Sequence, residues 1–373
     1  MKKILLIGIG GVYNYGCEAI VRGTVNVLKE KNPSVEIYYA SRRVGDDRKR
    51  LVGCDIKIID ATISKWTLKN IIRKLLSFIN IEYSFIQENK SILKGIDEVY
   101  SIGGDIYTLD ASNNYSKSLP LFGDYCIKKG IKYNLWGCSV GPFEANDKAL
   151  SFFKTHLKNA TRIYAREKET VDYLRKLDIV GNVELVVDPA FFVATHILKT
   201  KANSGIKRIG INLSPLSSLH YYESLDDAID IQTKWIYSIV ERFNCNITLI
   251  PHVISDSIND DDFRYLRRLY LNLSDDIKSR VTLIDTDPGF IGVKQEIIKC
   301  DVIMAARMHC AINSIVTNTP VIFLAYSKKA IGMADFIYGN DRFVFELDNI
   351  LSKDFLDRVE EVSNLDLINL SSK

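Results

Sequence analysis

Apolar runs of four or five residues alternate with longer segments of helical period along almost the whole chain, and few folds accommodate that pattern. Ile4–Ile7, Glu36–Ala40, Ile56–Ile59, Val99–Ile102, Tyr133–Trp136, Arg162–Ala165 and Glu184–Val187 read as strands. Between them Cys17–Lys29, Leu119–Lys128, Phe152–Asn159 and Glu169–Leu177 read as helices. Buried runs separated by helices are the mark of a parallel sheet covered on both faces. The polar stretch Thr195–Lys207 has neither period and reads as a linker. Beyond it the alternation restarts, with strands at Arg208–Asn212, Asn246–Ile250, Val281–Ile284, Val302–Ala305 and Val321–Leu324. Helices at Ile229–Phe243, Phe263–Leu271, Ile291–Lys299 and Cys310–Thr317 separate them. The expectation is an α/β protein with two Rossmann-like domains facing a cleft. They cover residues 1–197 and 205–335, with a C-terminal helical extension over 336–373.

Composition narrows the function classes. The 49 basic and 46 acidic residues leave a net charge of +3, too even for a nucleic-acid footprint. No apolar run approaches the roughly 18 residues of a spanning helix. The opening Met1-Lys2-Lys3-Ile4 run breaks at Gly8 and Gly10, too soon for a secretion signal, and reads as a buried first strand. The seven cysteines are scattered, with no Cys-x-x-Cys pair, which fits a reducing, cytoplasmic setting and no zinc cluster. The acidic runs Asn259–Asp262 and Asp275-Asp276 lack calcium-loop spacing and read as solvated helix starts, so no metal is expected.

In open α/β sheets ligands bind beyond the carboxyl ends of the strands, so chemistry is sought there. The first strand runs into Gly8-Ile9-Gly10-Gly11-Val12-Tyr13-Asn14-Tyr15-Gly16-Cys17-Glu18. This glycine-rich loop offers close backbone approach and a helix N-terminus to an anion. Tyr13 breaks the dinucleotide spacing. Further strand ends carry Gly103-Gly104-Asp105 and Trp136-Gly137-Cys138-Ser139-Val140-Gly141-Pro142. Arg166 closes one strand of the first half and Arg307 one of the second. Each is a fork suited to carboxylate or phosphate, or else a salt-bridge partner. His309 adjoins Arg307 and is the candidate proton-transfer group, and His252 ends another strand. Asp188 either orients an arginine or caps a turn, and Lys329 follows the last strand.

In this order the motifs resemble the polysaccharide pyruvyl transferase family. The matching residues are Gly10 to Glu18 with Asn14 and Gly16, Gly103-Gly104-Asp105, Gly137-x-Ser139-x-Gly141-Pro142 and Arg166. They continue through Asp188-Pro189-Ala190, Arg307-x-His309, Pro320 and Tyr326-x-x-Lys329. The resemblance runs from about residue 4 to about 335, and departs where many members carry three glycines and this chain has Gly103-Gly104-Asp105. It implies a GT-B-like fold and transfer of the enolpyruvyl group of phosphoenolpyruvate onto two hydroxyls of a sugar. The products would be a cyclic ketal in a surface-polysaccharide precursor and free phosphate. It places Arg166, Arg307 and His309, with Lys329, at the donor. His309 fits a general acid, and Asp105 or Glu18 a base near the sugar. Gly10, Gly11, Asn14, Gly16, Gly103, Gly104, Ser139 and His252 are expected in the acceptor loops. Phosphoenolpyruvate is a co-substrate, and no cofactor is implied. The acceptor is a lipid-linked oligosaccharide or a nucleotide sugar.

Two other readings remain open from the residues alone. One is a GT-B glycosyltransferase using a nucleotide sugar. The other is a non-catalytic polysaccharide-assembly protein, against which the joint presence of Arg166, Arg307 and His309 argues. Between 65 and 86, Leu68, Ile71, Ile72, Leu75, Leu76 and Ile79 form an apolar stripe, with Lys69, Arg73 and Lys74 away from it and Lys65 flanking it. That stripe either packs on the core or rests peripherally on the inner face of the cell membrane.

Overall fold

In the computed structural model the β-branched and aromatic runs pair as parallel strands, because they are apolar enough to be covered on both faces. The structure describes residues 1–62, 72, 89–110, 112–193, 205–325, 328–365 and 367. By its internal contacts the chain divides into two units. Met1–Val12 and Ile20–Phe192 form the first, Tyr13–Ala19 and Val193–Lys373 the second. The basic stripe of 65–86, except Ile72, and residues 195–204 of the expected linker lie outside the described residues, as do Tyr326 and Ser327.

In chain order the first half contains β1 (Lys3–Ile7), α1 (Tyr15–Lys31), β2 (Glu36–Ser41), α2 (Val44–Arg50), β3 (Lys57–Asp60) and β4 (Glu98–Ile102). It continues with α3 (Ser118–Lys128), β5 (Lys132–Cys138), α4 (Asp147–Asn159), β6 (Arg162–Ala165), α5 (Lys168–Lys176) and β7 (Val183–Leu185). All seven strands are parallel, in the order β3-β2-β1-β4-β5-β6-β7. The chain lays down β1 to β3 on one side and then crosses to β4. The switch point therefore lies between β1 and β4, and Gly103-Gly104-Asp105 leaves β4 there.

The second half contains β8 (Arg208–Asn212), α6 (Pro215–Tyr221), α7 (Leu225–Phe243), β9 (Asn246–Leu249), α8 (Asp262–Leu271), α9 (Asp275–Lys278) and β10 (Val281–Leu283). It ends with α10 (Gly289–Ile298), β11 (Val302–Ala305), α11 (Met308–Ile315), β12 (Val321–Ala325), α12 (Lys328–Tyr338), β13 (Val344–Glu346) and α13 (Lys353–Ser363). Its sheet runs β10-β9-β8-β11-β12-β13, again all parallel, with the switch point between β8 and β11. Arg307 is two residues past β11, beside that point.

The expected α/β architecture with two Rossmann-like sheets is what the chain adopts. The stretch from 336 differs from the expected helical extension: Val344–Glu346 is a strand that completes the second sheet by pairing with β12. Its three residues are too short to show a period. The short helices α2, α6 and α9 escape the pattern for the same reason, although Ser214-Pro215 carries a start signal. The Ser214 side chain accepts the Ser217 N–H, with Pro215 in the first turn.

The first unit's core is aromatic around α4. Phe153 is fully buried, stacks on Phe143 at 4.4 Å between centroids and 9° between planes, and meets Tyr107 edge-on at 6.3 Å. Truncating a buried phenylalanine costs about 3–5 kcal/mol. Phe153→Ala should lower stability by that order in urea unfolding, whereas Phe336→Ala, at an exposed site, should stay within about 0.5 kcal/mol.

Candidate functional site

Loops leaving the carboxyl ends of β4 to β7 converge on Arg166 in the first unit. Its Nη1 donates to Asp188 Oδ2 at 2.9 Å, and its Nε and Nη2 donate to Ser139 Oγ at 3.2 and 3.1 Å. Nη2 also reaches Asp105 Oδ1 at 3.4 Å. Asp188 is buried and accepts the Ala190 N–H at 2.9 Å through its other oxygen, so it orients the arginine and caps its own turn at once. Ser139 donates its N–H to the Gly104 carbonyl at 2.8 Å. Gly104 is required by space: a Cβ there would lie 2.7 Å from Arg166 Nη2. Burial alone would favour a neutral guanidinium, but Asp188 and Asp105 outweigh it and raise the arginine above its ordinary range. Cys138, one residue before Ser139, has its thiol pushed up to about 12 by burial and is no nucleophile.

In the second unit a fully buried carboxylate, Asp262, joins three strand ends. Its Oδ1 accepts from Arg307 Nε at 3.2 Å and Nη2 at 2.8 Å. Its Oδ2 accepts the N–H groups of His252 and Val253, both at 3.0 Å, and Asn212 Nδ2 at 3.4 Å. Asn212, the last residue of β8, returns to Arg307 by accepting its backbone N–H at 2.9 Å. Asp260 Oδ1 takes a further Arg307 Nη2 contact at 2.8 Å. Burial pushes the Asp262 carboxyl up from its ordinary value, against the pull of Arg307 and the two backbone donors. Among the described residues its two carboxylate oxygens only accept, from Arg307, His252, Val253 and Asn212, so the surroundings are built for the ionised form. Arg307 is itself held above its ordinary range by Asp262 and Asp260, which overcome its own desolvation.

The run expected to be solvated helix starts is thereby corrected at two positions, Asp261 and Asp262, both of which are buried. Asp261 does cap α8, accepting the Arg264 N–H at 2.7 Å, and Asp275 is exposed, but Asp262 is fully buried. A charge run before a helix looks the same in sequence whichever of its members turns inward.

The glycine-rich loop splits between the units. Gly10 accepts the Arg42 N–H at 2.8 Å, Gly11 is buried, and the next residue, Val12, donates to buried Asp47 at 2.9 Å. Residues 13–19 build into the second unit. Tyr15 donates its N–H to the His252 carbonyl at 3.1 Å and its hydroxyl to Asp287 at 2.5 Å, and its ring meets His252 edge-on at 5.6 Å. Asn14 Oδ1 accepts the Gly16 N–H at 2.8 Å, and the Asn14 carbonyl accepts the Glu18 N–H at 3.0 Å. The N–H groups of Tyr15, Gly16 and Glu18 are therefore already bonded to the protein. They do not form the anion site expected of that helix start. Glu18 is buried and accepts the Phe290 N–H at 3.4 Å, which makes it a helix-capping carboxylate. Gly16 is again a matter of space, since a Cβ there would fall 2.5 Å from His309 Nδ1.

His309 is the second residue of α11 and half-buried, and Lys329 lies in the first turn of α12. Gly103 leaves β4 at a φ of 136°. Among the described residues no group of acids, histidines and cysteines is arranged to hold a metal, and no helix is long and apolar enough to cross a membrane. All seven cysteines are free thiols.

His252 is buried, and among the described residues neither ring nitrogen has a hydrogen-bond partner. Burial first, then the charges of His309 and Arg307, hold it well below the ordinary histidine value of 6.5. The folded chain thus resists a proton that the unfolded chain takes up below about 6.5. Stability contributed by the neutral ring is present above that pH and is lost on acidification, by at most about 1.4 kcal/mol per pH unit. Urea unfolding at pH 7.5 and 5.5 should show a larger loss for the wild type than for His252→Gln. Equal losses would mean the ring is not held neutral.

Comparison with known proteins places this geometry in context. UDP-GlcNAc 2-epimerase from Neisseria meningitidis, solved with UDP-GlcNAc, has a TM-score of 0.59 at 14% identity, covering 98% of this chain and 95% of that one. The Methanocaldococcus jannaschii 2-epimerase gives 0.60 at 14% identity, over 98% and 94%. A glycosyltransferase from Rickettsia africae gives 0.53 at 15% identity, over 99% and 94%. At such identities the likeness shows a GT-B-like fold. None of the curated proteins matches. The family model of polysaccharide pyruvyl transferases matches residues 14–328, a span that takes in Asn14, Gly103-Gly104-Asp105, Arg166, Asp188 and Arg307-x-His309. The chain belongs to the polysaccharide pyruvyl transferase family.

Proposed function

We propose that this chain transfers the pyruvyl group of phosphoenolpyruvate to two hydroxyls of a sugar in a surface-polysaccharide precursor, protonating its methylene carbon, forming a pyruvate ketal and releasing phosphate. The observation that carries the reading is Arg307, locked and fully charged at a switch point and two residues from His309, within a chain of this family. Phosphoenolpyruvate is a phosphate and a carboxylate on a three-carbon frame, the chemistry an arginine fork matches. Arg166, held in the same manner in the first unit, and Lys329 are the other donor-binding groups in this reading.

Protonation of the donor's methylene carbon, with His309 as acid, leaves an oxocarbenium-like centre at the carbon bearing the phosphate. A sugar hydroxyl adds there and gives up its proton to a base. The carbon–oxygen bond to phosphate then breaks, with positive charge holding the leaving group, and a second hydroxyl closes the ring. The diol loses two protons, the methyl group gains one and phosphate carries the other. Asp105, half exposed at the end of β4, suits the base better than Glu18, which is buried and engaged with the Phe290 N–H. Gly10, Gly11, Asn14, Gly16, Gly103, Gly104, Ser139 and His252 shape the loops through the contacts described. The likeness to enzymes solved with UDP-GlcNAc supports a nucleotide-sugar acceptor.

Thermal unfolding with phosphoenolpyruvate, inorganic phosphate or UDP tests this reading. Phosphoenolpyruvate should raise the Tm, and Arg307→Ala should remove the shift. A shift with UDP alone would favour a nucleotide-sugar glycosyltransferase instead. His309→Ala should still bind phosphoenolpyruvate but lose about 10²–10⁴-fold in turnover; near-wild-type turnover would end its assignment as the acid.

A further inference from the structure

The two carboxylates on Arg307 differ in a way that assigns them different tasks. A guanidinium has two double-donor edges, one formed by Nε and Nη2, the other by Nη1 and Nη2. Asp262, fully buried, takes the first edge with a single oxygen at 3.2 and 2.8 Å. Its second oxygen is committed to the His252 and Val253 N–H groups and to Asn212, so its position is fixed by three strand ends. Asp260 is different. It lies on the short turn Ile258–Asp260 with its side chain 44% exposed, and it reaches Nη2 alone, at 2.8 Å through Oδ1 and 3.4 Å through its carbonyl. Nη1 donates to none of the described residues. The second edge is thus half covered by an exposed carboxylate and half open. Arg166 shows a related division, with buried Asp188 at 2.9 Å and exposed Asp105 at 3.4 Å.

We infer that Asp262 is the positioning residue of Arg307 and that Asp260 is a resident anion, displaced when a carboxylate or phosphate of the donor docks on the Nη1–Nη2 edge. This rests on the donor reading of Arg307. Asp260 keeps the charged fork compensated without ligand and competes with every anion for Nη2, so it lowers donor affinity. Asp262 raises that affinity by holding the fork in place. Two neighbouring acids on one arginine therefore act in opposite directions, which a purely structural ion-pair cluster does not predict.

Calorimetric titration of phosphoenolpyruvate, with inorganic phosphate as a second probe, separates the tasks in full-length wild type, Asp260→Asn, Asp262→Asn and Arg307→Ala. Asp260→Asn, at an exposed site, should bind about two- to fivefold more tightly, the scale of one exposed ion pair removed from competition. Its KM for phosphoenolpyruvate should fall, with urea stability unchanged. Asp262→Asn should bind more weakly. Weaker or unchanged binding by Asp260→Asn, with binding lost in Arg307→Ala, would overturn the division of tasks while leaving the donor site standing. Wild-type affinity in Arg307→Ala would remove the donor reading itself, and this inference with it.

Discussion

The second unit depends on one buried negative charge. A lone carboxylate taken out of water is costly, so Asp262 can exist only where enough donors converge on it. Here the donors are Arg307, two consecutive backbone N–H groups after β9 and the Asn212 amide at the end of β8. Satisfying that charge leaves little freedom to the loops that supply the donors. It fixes the backbone from which His252 projects, the turn into α11 that carries Arg307 and His309, and the register between β8 and β11 at the switch point. The arginine's charge and the acid's charge are each other's condition for burial.

The first unit solves a similar problem with smaller means. Arg166 is held by buried Asp188 and by the Ser139 hydroxyl, and it lies against a glycine whose missing side chain makes room for it. Arg166 follows its strand directly and Arg307 after one residue, where a chain leaving a parallel sheet exposes its groups to a ligand. The same topology explains why the candidate residues are spread over the sequence from the first loop to α12. Each lies on the segment that follows a strand's carboxyl end, and the order of strands, not their spacing along the chain, brings such segments together within a unit.

The fold was legible because it depends on period and apolar content, which are local properties. The twenty expected elements from Ile4–Ile7 to Val321–Leu324 overlap observed ones in type and place, usually within a turn. The strand β13 and the short helix α6 escaped, because pieces of three and seven residues carry no measurable period of their own. The two arginines, His309 and His252 were legible as polar residues at strand ends. Asp262 was not, since nothing in Asn259-Asp260-Asp261-Asp262 says which acid turns inward; only the position of Arg307 across the sheet decides it. Glu18 reads as a possible base from its neighbours in sequence, and only the Phe290 N–H it accepts shows how it is engaged.

The proposed transfer requires that a proton reach the methylene carbon of phosphoenolpyruvate while a sugar diol is captured. The most direct test follows the reaction in deuterium oxide by NMR, with phosphoenolpyruvate and a panel of UDP-sugars as acceptors. The expected product is a pyruvate ketal whose methyl group carries one deuterium, formed in step with free phosphate. Release of UDP with phosphoenolpyruvate untouched, or a transferred group that keeps its methylene, would contradict it.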